Sequence, residues 1–151
     1  SNWAEKGEQY KNDLIQSVDQ DTKAFNQIIH AFSLPKTNDE EKKSRSTAIQ
    51  AATKRAIEVP FSIMQNSYAS MTVIKAMAET GNPNSVSDAG VAALCARTAV
   101  MGAFMNVRIN AKDYQEKDFV SDIISKGKEI EQNAIALETE ILEIVNEKIG
   151  M

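Results

Sequence analysis

The sequence predicts an all-α protein, an up-down bundle of four long antiparallel helices. Three observations carry this reading. Apolar residues recur at steps of three and four over long runs, and strand-like alternation is absent. The 6 glycines and 3 prolines of the 151 residues are spread thinly. The connections between the runs are short and polar, which makes consecutive helices antiparallel neighbours.

The first helix runs from about Trp3 to Phe32. Its stripe reads Trp3, Gly7, Tyr10, Leu14, Val18, Asp21, Phe25, Ile28 and Phe32. The segment SLPKTNDEEK ends it, with Pro35 as the stop and Thr37-x-x-Glu40 as a capping box for the second helix. That second helix runs from about Asn38 to Glu79. Ile49, Ala52, Ala56, Ile63, Ser67, Ile74 and Ala78 trace one side, with Ile57, Phe61, Met64, Tyr68 and Met71 beside them. Pro60 lies inside this run, removes one amide donor and clashes with the preceding turn, so a kink is expected near Arg55 to Pro60. The alternative is that EVPF divides the run into two helices.

Gly81-Asn82-Pro83-Asn84 is the clearest turn, and Ser85-x-x-Asp88 reads as a second capping box. The third helix continues to about Asn110, nearly uncharged and rich in small residues, as a buried central helix would be. After AKDYQEKD the fourth helix carries Ile123, Gly127, Ile130, Ala134, Leu137, Ile141, Ile144 and Lys148, a heptad-like seam for near-parallel packing.

The length is that of one domain with a core of its own, and no internal repeat is visible. With 17 Lys and Arg against 21 Asp and Glu, the net charge of -4 argues against nucleic acid as a partner. Cys95 is the only cysteine, so no internal disulfide forms, and among alanines it reads as a buried, inert thiol. His30 has no cysteine or carboxylate at metal-ligand spacing and reads as a helix-end or surface residue, so no metal site is expected. No uncharged stretch reaches the roughly 20 residues that span a bilayer, and no signal peptide is visible. The expectation is a reduced, soluble, cytoplasmic protein without membrane contact.

Several polar residues are out of place in such a bundle. Asp21 interrupts the apolar stripe of the first helix, where a carboxylate needs a partner or its pKa rises. The plain alternative is a solvated margin, in the polar patch VDQDTK. Asp88 and Asn106 are five turns apart on one face of the third helix, with Asn110 a turn beyond. Asp88 also has an ordinary role as the acid at a helix start. Arg97, on an apolar face, calls for a buried carboxylate or an anion. Asn82, Asn84, Ser85 and the free amides of the helix start suit an anion or an amide-rich ring, or serve only as turn and cap. The methionines read as core filler, and no catalytic triad, phosphate loop or metal cluster is present.

Three phrases go further: DQDTKAFNQIIHAFSLPK, EEKKSRSTAIQAATKRAIEVPFSIM and GNPNSVSDAGVAALCARTAVMGAFMNVRIN. In order and spacing they resemble the formiminotransferase-cyclodeaminase/methenyltetrahydrofolate cyclohydrolase family from about residue 3 onward. NPNSVSDAGVAA and AFN…LPK are the most specific parts. One departure is that family members begin with a helix carrying a proline, triple-glycine and serine motif. This sequence lacks that segment and starts inside the following helix, so residues 1–151 read as an N-terminally incomplete helical domain.

The resemblance implies a homodimeric helical domain that takes a tetrahydrofolate derivative as substrate, with no prosthetic group and no metal. It also implies a formiminotransferase as a channelling partner. The leading activity it implies is cyclodeamination of 5-formiminotetrahydrofolate to 5,10-methenyltetrahydrofolate and ammonia. Methenyltetrahydrofolate cyclohydrolase is the alternative, and a non-catalytic dimerisation module is a second. Both reactions need proton shuttling at a tetrahedral carbon, a task for a carboxylate. Asp21 and Asp88 are therefore the candidate catalytic residues. Asn82, Asn84, Ser85 and Asn106 are candidate substrate contacts, with Asn110 as a further polar positioner. Lys36 or Arg97 is the candidate for the glutamate tail of folate.

Overall fold

The computed structural model describes residues 2–150 and contains four α-helices: α1 (Asn2–Ser33), α2 (Asp39–Thr80), α3 (Val86–Ala111) and α4 (Lys117–Ile149). A single 3-10 turn, Pro83–Ser85, leads into α3, and no strand occurs among the described residues. The helix bounds agree with the sequence reading to within a few residues. α2 does not divide at EVPF; it runs unbroken through Pro60 for 42 residues, about 63 Å along its path.

The core lies where α2, α3 and α4 meet. Ile57, Met64, Met71 and Ala78 of α2 are buried at steps of seven, and Val86, Ala93, Val100 and Val107 of α3 repeat the same step. This heptad spacing keeps one seam facing its partner along near-parallel helices. On α4 the expected seam is met by buried Ile123, Gly127, Ala134 and Ile141, with Val145 added. The buried Phe104 ring lies against Gly127, where any side chain would collide with it. α1 packs chiefly on α2.

The inner faces of α1 and α3 differ from expectation. The buried residues of α1 are Ser17, Ala24 and Ala31, while Val18, Asp21, Phe25 and Phe32 of the expected stripe are exposed. α3 is likewise buried on one side only: Val91, Leu94, Cys95, Met105 and Ile109 face outward, as do Asp88, Asn106 and Arg108. Cys95 is thus an exposed thiol and not a buried one. The reason is size. Alanine and serine let two helix backbones approach closely, so the small residues take the interface and the larger ones are left outside. The same small-residue composition makes 83–111 long and apolar enough to cross a membrane by length and composition alone, although Asp88, Arg97 and Arg108 leave it no uncharged run of about 20 residues, and 39% of its most apolar window is buried in the protein.

Both capping boxes differ in detail. The cap of α2 is Asn38, whose Oδ1 accepts the Glu41 amide at 2.8 Å, while the Glu41 carboxylate accepts from the amide and hydroxyl of Thr37. Those bonds hold the Glu41 carboxyl below its usual pKa. The pattern has moved one residue along, because Asn38 and Glu41 satisfy it as well as Thr37 and Glu40 do. At α3 the Ser85 side chain caps nothing. Asn82 caps the 3-10 turn instead, its Oδ1 accepting the Asn84 amide at 3.0 Å and its carbonyl the Ser85 amide at 2.9 Å.

Two contacts fix the ends of the bundle. Lys148 of α4 donates to the carbonyls of Ala78 and Glu79 at 2.7 and 2.5 Å, closing the C-terminus of α2 where it carries partial negative charge. At the other end the buried Tyr114 donates its hydroxyl to Glu116 at 2.9 Å, and Lys54 of α2 pairs with the same carboxylate at 3.2 Å.

Candidate functional site

α1 and α3 flank α2 around Pro60 and leave a groove between them. Its floor is Ala56 and Pro60, one wall is α1 with Ser17 and Asp21, and the other is α3 with Ala103 and Asn106. Two adjoining cavities of about 350 and 210 Å³ share Asp21 and Asn106, so they form one continuous groove. Ala56, Ala99 and Ala103 are what make the space, since larger residues there would fill it.

The groove brings together residues from three helices that the sequence offered separately. Asp21 stands exposed at its margin, without a hydrogen-bond or ion-pair partner among the described residues. Asn106 faces it from α3, and Asn110 lies one turn further along the same helix, lining the smaller cavity. Asn110 reaches the floor, its Nδ2 donating to the Ala56 carbonyl at 2.8 Å. Carboxylate and carboxamides with no cation among the groove-lining residues form a site rich in acceptors, suited to a ligand bearing N–H groups or positive charge.

Asp88 lies elsewhere. It lines a second cavity of about 310 Å³ with Val73, Met77, Gly81, Asn82 and Ser85. Eighteen residues of helix separate it from Asn106, about 27 Å. Asp21 and Asp88 therefore do not converge within one chain. Asn84 is exposed beside that cavity and gives its amide to Asn82. The Gly81 amide closes onto the Met77 carbonyl at 2.9 Å, and a Cβ at Gly81 would collide with that carbonyl. A glycine is what lets the chain turn so tightly into the cavity rim.

Lys36 lines a third cavity, about 270 Å³, with Lys42, Arg45, Ser46 and Ile49. Arg45 is anchored by the Phe32 carbonyl at 3.1 Å, so this basic corner sits between the end of α1 and the start of α2. From Ile49 to Pro60 is eleven residues, about 16 Å along α2. Arg97 lines none of these cavities. Its guanidinium is ion-paired with Glu138 of α4, whose side chain is 12% exposed, and also donates to the Met101 sulfur at 2.9 Å. Of the two explanations for an arginine on an apolar face, the structure supplies the carboxylate. No group of three or more potential metal-ligating side chains occurs among the described residues.

Known proteins share both the sequence and the fold. The family model described as formiminotransferase-cyclodeaminase matches residues 1–129. The chain is similar to the methenyltetrahydrofolate cyclohydrolase of Methylorubrum extorquens, with 34% identity over 97% of this chain and 70% of that protein. It is similar to the formimidoyltransferase-cyclodeaminases of Gallus gallus and Dictyostelium discoideum at 35% and 36% identity, over 76% and 85% of this chain. It spans only 21% and 23% of those longer proteins. Among solved structures, the formiminotetrahydrofolate cyclodeaminase of Thermotoga maritima superposes with a TM-score of 0.79 at 21% identity, over 94% of this chain and 67% of that one. That likeness shows the fold.

Proposed function

The chain belongs to the formiminotransferase-cyclodeaminase family, which acts on one-carbon units carried by tetrahydrofolate, and we propose that it is a formimidoyltetrahydrofolate cyclodeaminase. The observation that carries this reading is the acceptor-lined groove of Asp21, Asn106 and Asn110. In the reaction, N10 of 5-formiminotetrahydrofolate attacks the formimino carbon. With the formimino group entering as its protonated amidinium, the N10 proton must then reach the formimino nitrogen, which leaves as ammonia while the positive charge passes to the N5–C–N10 bridge as the methenyl cation. Asp21 takes the proton from N10 and returns it to the leaving nitrogen, and its charge stabilises the cationic bridge. Asn106 and Asn110 accept N–H groups of the ligand. Lys36, at the basic corner, meets the glutamate carboxylates.

Asp88, with Asn82, Asn84 and Ser85, joins this site only when a second copy of the chain sets its cavity against the Asp21 groove. We accordingly propose a homodimer. The outward apolar residues of α1 and α3, among them Val18, Phe25, Leu94 and Ile109, support it. In this reading residues 1–151 form one helical domain of a cytoplasmic enzyme that works without a prosthetic group and receives its substrate from a formiminotransferase.

A second reading, cyclohydrolase, is favoured by the similarity that runs along 97% of this chain to a protein of that name. There Asp21 takes a proton from the water that adds to the methenyl carbon. The methenyl absorption band separates the two: it grows from formiminotetrahydrofolate under the first and decays under the second. No change beyond the uncatalysed rate would refute both and leave a non-catalytic dimerisation module. Asp21→Asn should lower kcat by about 100-fold or more with an unchanged melting temperature, because Asp21 is exposed and unpaired. Unchanged turnover would remove Asp21 from the chemistry.

A further inference from the structure

Pro60 lies in the interior of α2 and has no amide hydrogen. The carbonyl four residues earlier, that of Ala56, is therefore without the donor that a regular helix supplies. Ala56 is 6% exposed, so water does not readily replace it, and a buried carbonyl left alone is costly. The donor comes from another helix: Asn110 Nδ2 of α3, at 2.8 Å. Since a carbonyl only accepts, the NH2 end of the carboxamide is the end that faces α2. Asn110 Oδ1 is left over, with no donor among the described residues, in a side chain that lines the same cavity as Asp21 and Asn106.

We propose that Pro60 is a positioning residue for ligand binding and acts through Asn110. The missing amide creates a vacant acceptor that holds the Asn110 carboxamide in one orientation and keeps its Oδ1 as a fixed acceptor beside Asp21. Without that anchor the carboxamide changes rotamer and turns over, and the ligand must fix it in place on binding. The pair of acceptors, one charged and one neutral, recognises a ligand edge that bears N–H donors, as amidines and aminopyrimidines do. That this ligand is a folate rests on the proposed function above. The orientation of Asn110 does not.

Pro60→Ala tests the idea on the full chain, because alanine restores the amide and the bond from residue 60 to the Ala56 carbonyl. The folate KM should rise on the order of tenfold while kcat stays within about twofold of wild type, with no loss of helix content. Asn110→Ala should raise KM similarly and also lower the melting temperature, since the Ala56 carbonyl loses its donor. In Pro60→Ala/Asn110→Ala the melting temperature should recover while KM stays high and no higher than in Asn110→Ala.

A ligand-free measurement stands apart from turnover. The Asn110 side-chain NH2 signals, identified by their loss in Asn110→Ala, should exchange slowly in the wild type and faster in Pro60→Ala. Wild-type KM in Pro60→Ala, KM effects that multiply in the double variant, or equal NH2 protection with and without Pro60 would each overturn the proposal. A wild-type protein inactive on folates would refute the proposed function, while the NH2 exchange would still decide this inference.

Discussion

Gly127→Ala should weaken the bundle although alanine is the better helix former. In α4 the exchange by itself favours folding by about 1 kcal/mol. A Cβ at Gly127 falls on the ring of Phe104, at 2.7 Å from Cδ2, 2.9 Å from Cζ and closer still to Cε2. Phe104 is 1% exposed, so the ring has no open space to swing into. Overpacking of this kind costs about 1–3 kcal/mol, and contact with three ring atoms puts it at the upper end. The difference is a net loss of about 2 kcal/mol, or a fall in melting temperature of about 4–8 °C for a chain of this size. Urea unfolding followed by circular dichroism would read it as a midpoint lower by about 1 M at an unchanged slope. Gly102→Ala is the matched control, because a Cβ there meets nothing within 4 Å, and it should gain up to about 1 kcal/mol. Phe104→Leu should recover part of the loss in the Gly127→Ala background. A Gly127→Ala protein as stable as the wild type would refute the account of α3 wedged on α4.

The proposed shared site predicts complementation. Asp21→Asn and Asp88→Asn, each inactive alone, should regain about a quarter of wild-type turnover when mixed and refolded, because half the dimers carry one intact site; no recovery would rule out a site shared between copies. Tyr114 should ionise late, since burial and the Glu116 carboxylate push its pKa up to about 12. A folded pKa above the unfolded value of 10.0 means that this stability is whole below pH 10 and lost as pH rises toward 12. Absorbance titration should find one tyrosine ionising near pH 12, absent in Tyr114→Phe, and a titration complete by pH 11 would contradict it. Lys148→Met should cost about 1 kcal/mol by removing both donors to the α2 C-terminus while keeping the aliphatic stem. An unchanged melting curve would show those bonds to be idle.

Helix number and bounds were legible because they depend on local chemistry: periodic apolar residues, Pro35 as a stop, and Gly81-Asn82-Pro83 as a turn. The heptad seam of α4 was legible for the same reason. What misled was the assumption that the larger apolar residues mark the buried face. On α1 the buried face is Ser17, Ala24 and Ala31, and Phe25 and Phe32 stand outside it. Hydropathy ranks phenylalanine above alanine, but close helix packing selects by size. Cys95 was misplaced for a different reason: its alanine neighbours suggested burial, whereas α3 is buried on one side only and Cys95 lies on the other. In the groove, Asp21, Asn106 and Asn110 were each visible as polar residues out of place. Their meeting across α1 and α3 was not, because nothing local encodes which helices become neighbours. The tie between Asn110 and Ala56 had one sequence signal, a helix-interior proline whose missing amide leaves a carbonyl in need of a donor.

The unbroken length of α2 has a bearing on how such a chain can change over time. One helix carries the basic corner near Ile49, the groove floor at Pro60 and the cavity wall at Met77. A one-residue insertion within it would turn everything downstream by about 100° and slide it by about 1.5 Å. Every later side chain would then point at the wrong neighbour. Only length changes of seven, eleven or eighteen residues come close to restoring the phase, and even these alter the distance between stations. Insertions and deletions should therefore collect in the connections at 34–38 and 112–116, leaving α2 as a ruler of fixed length.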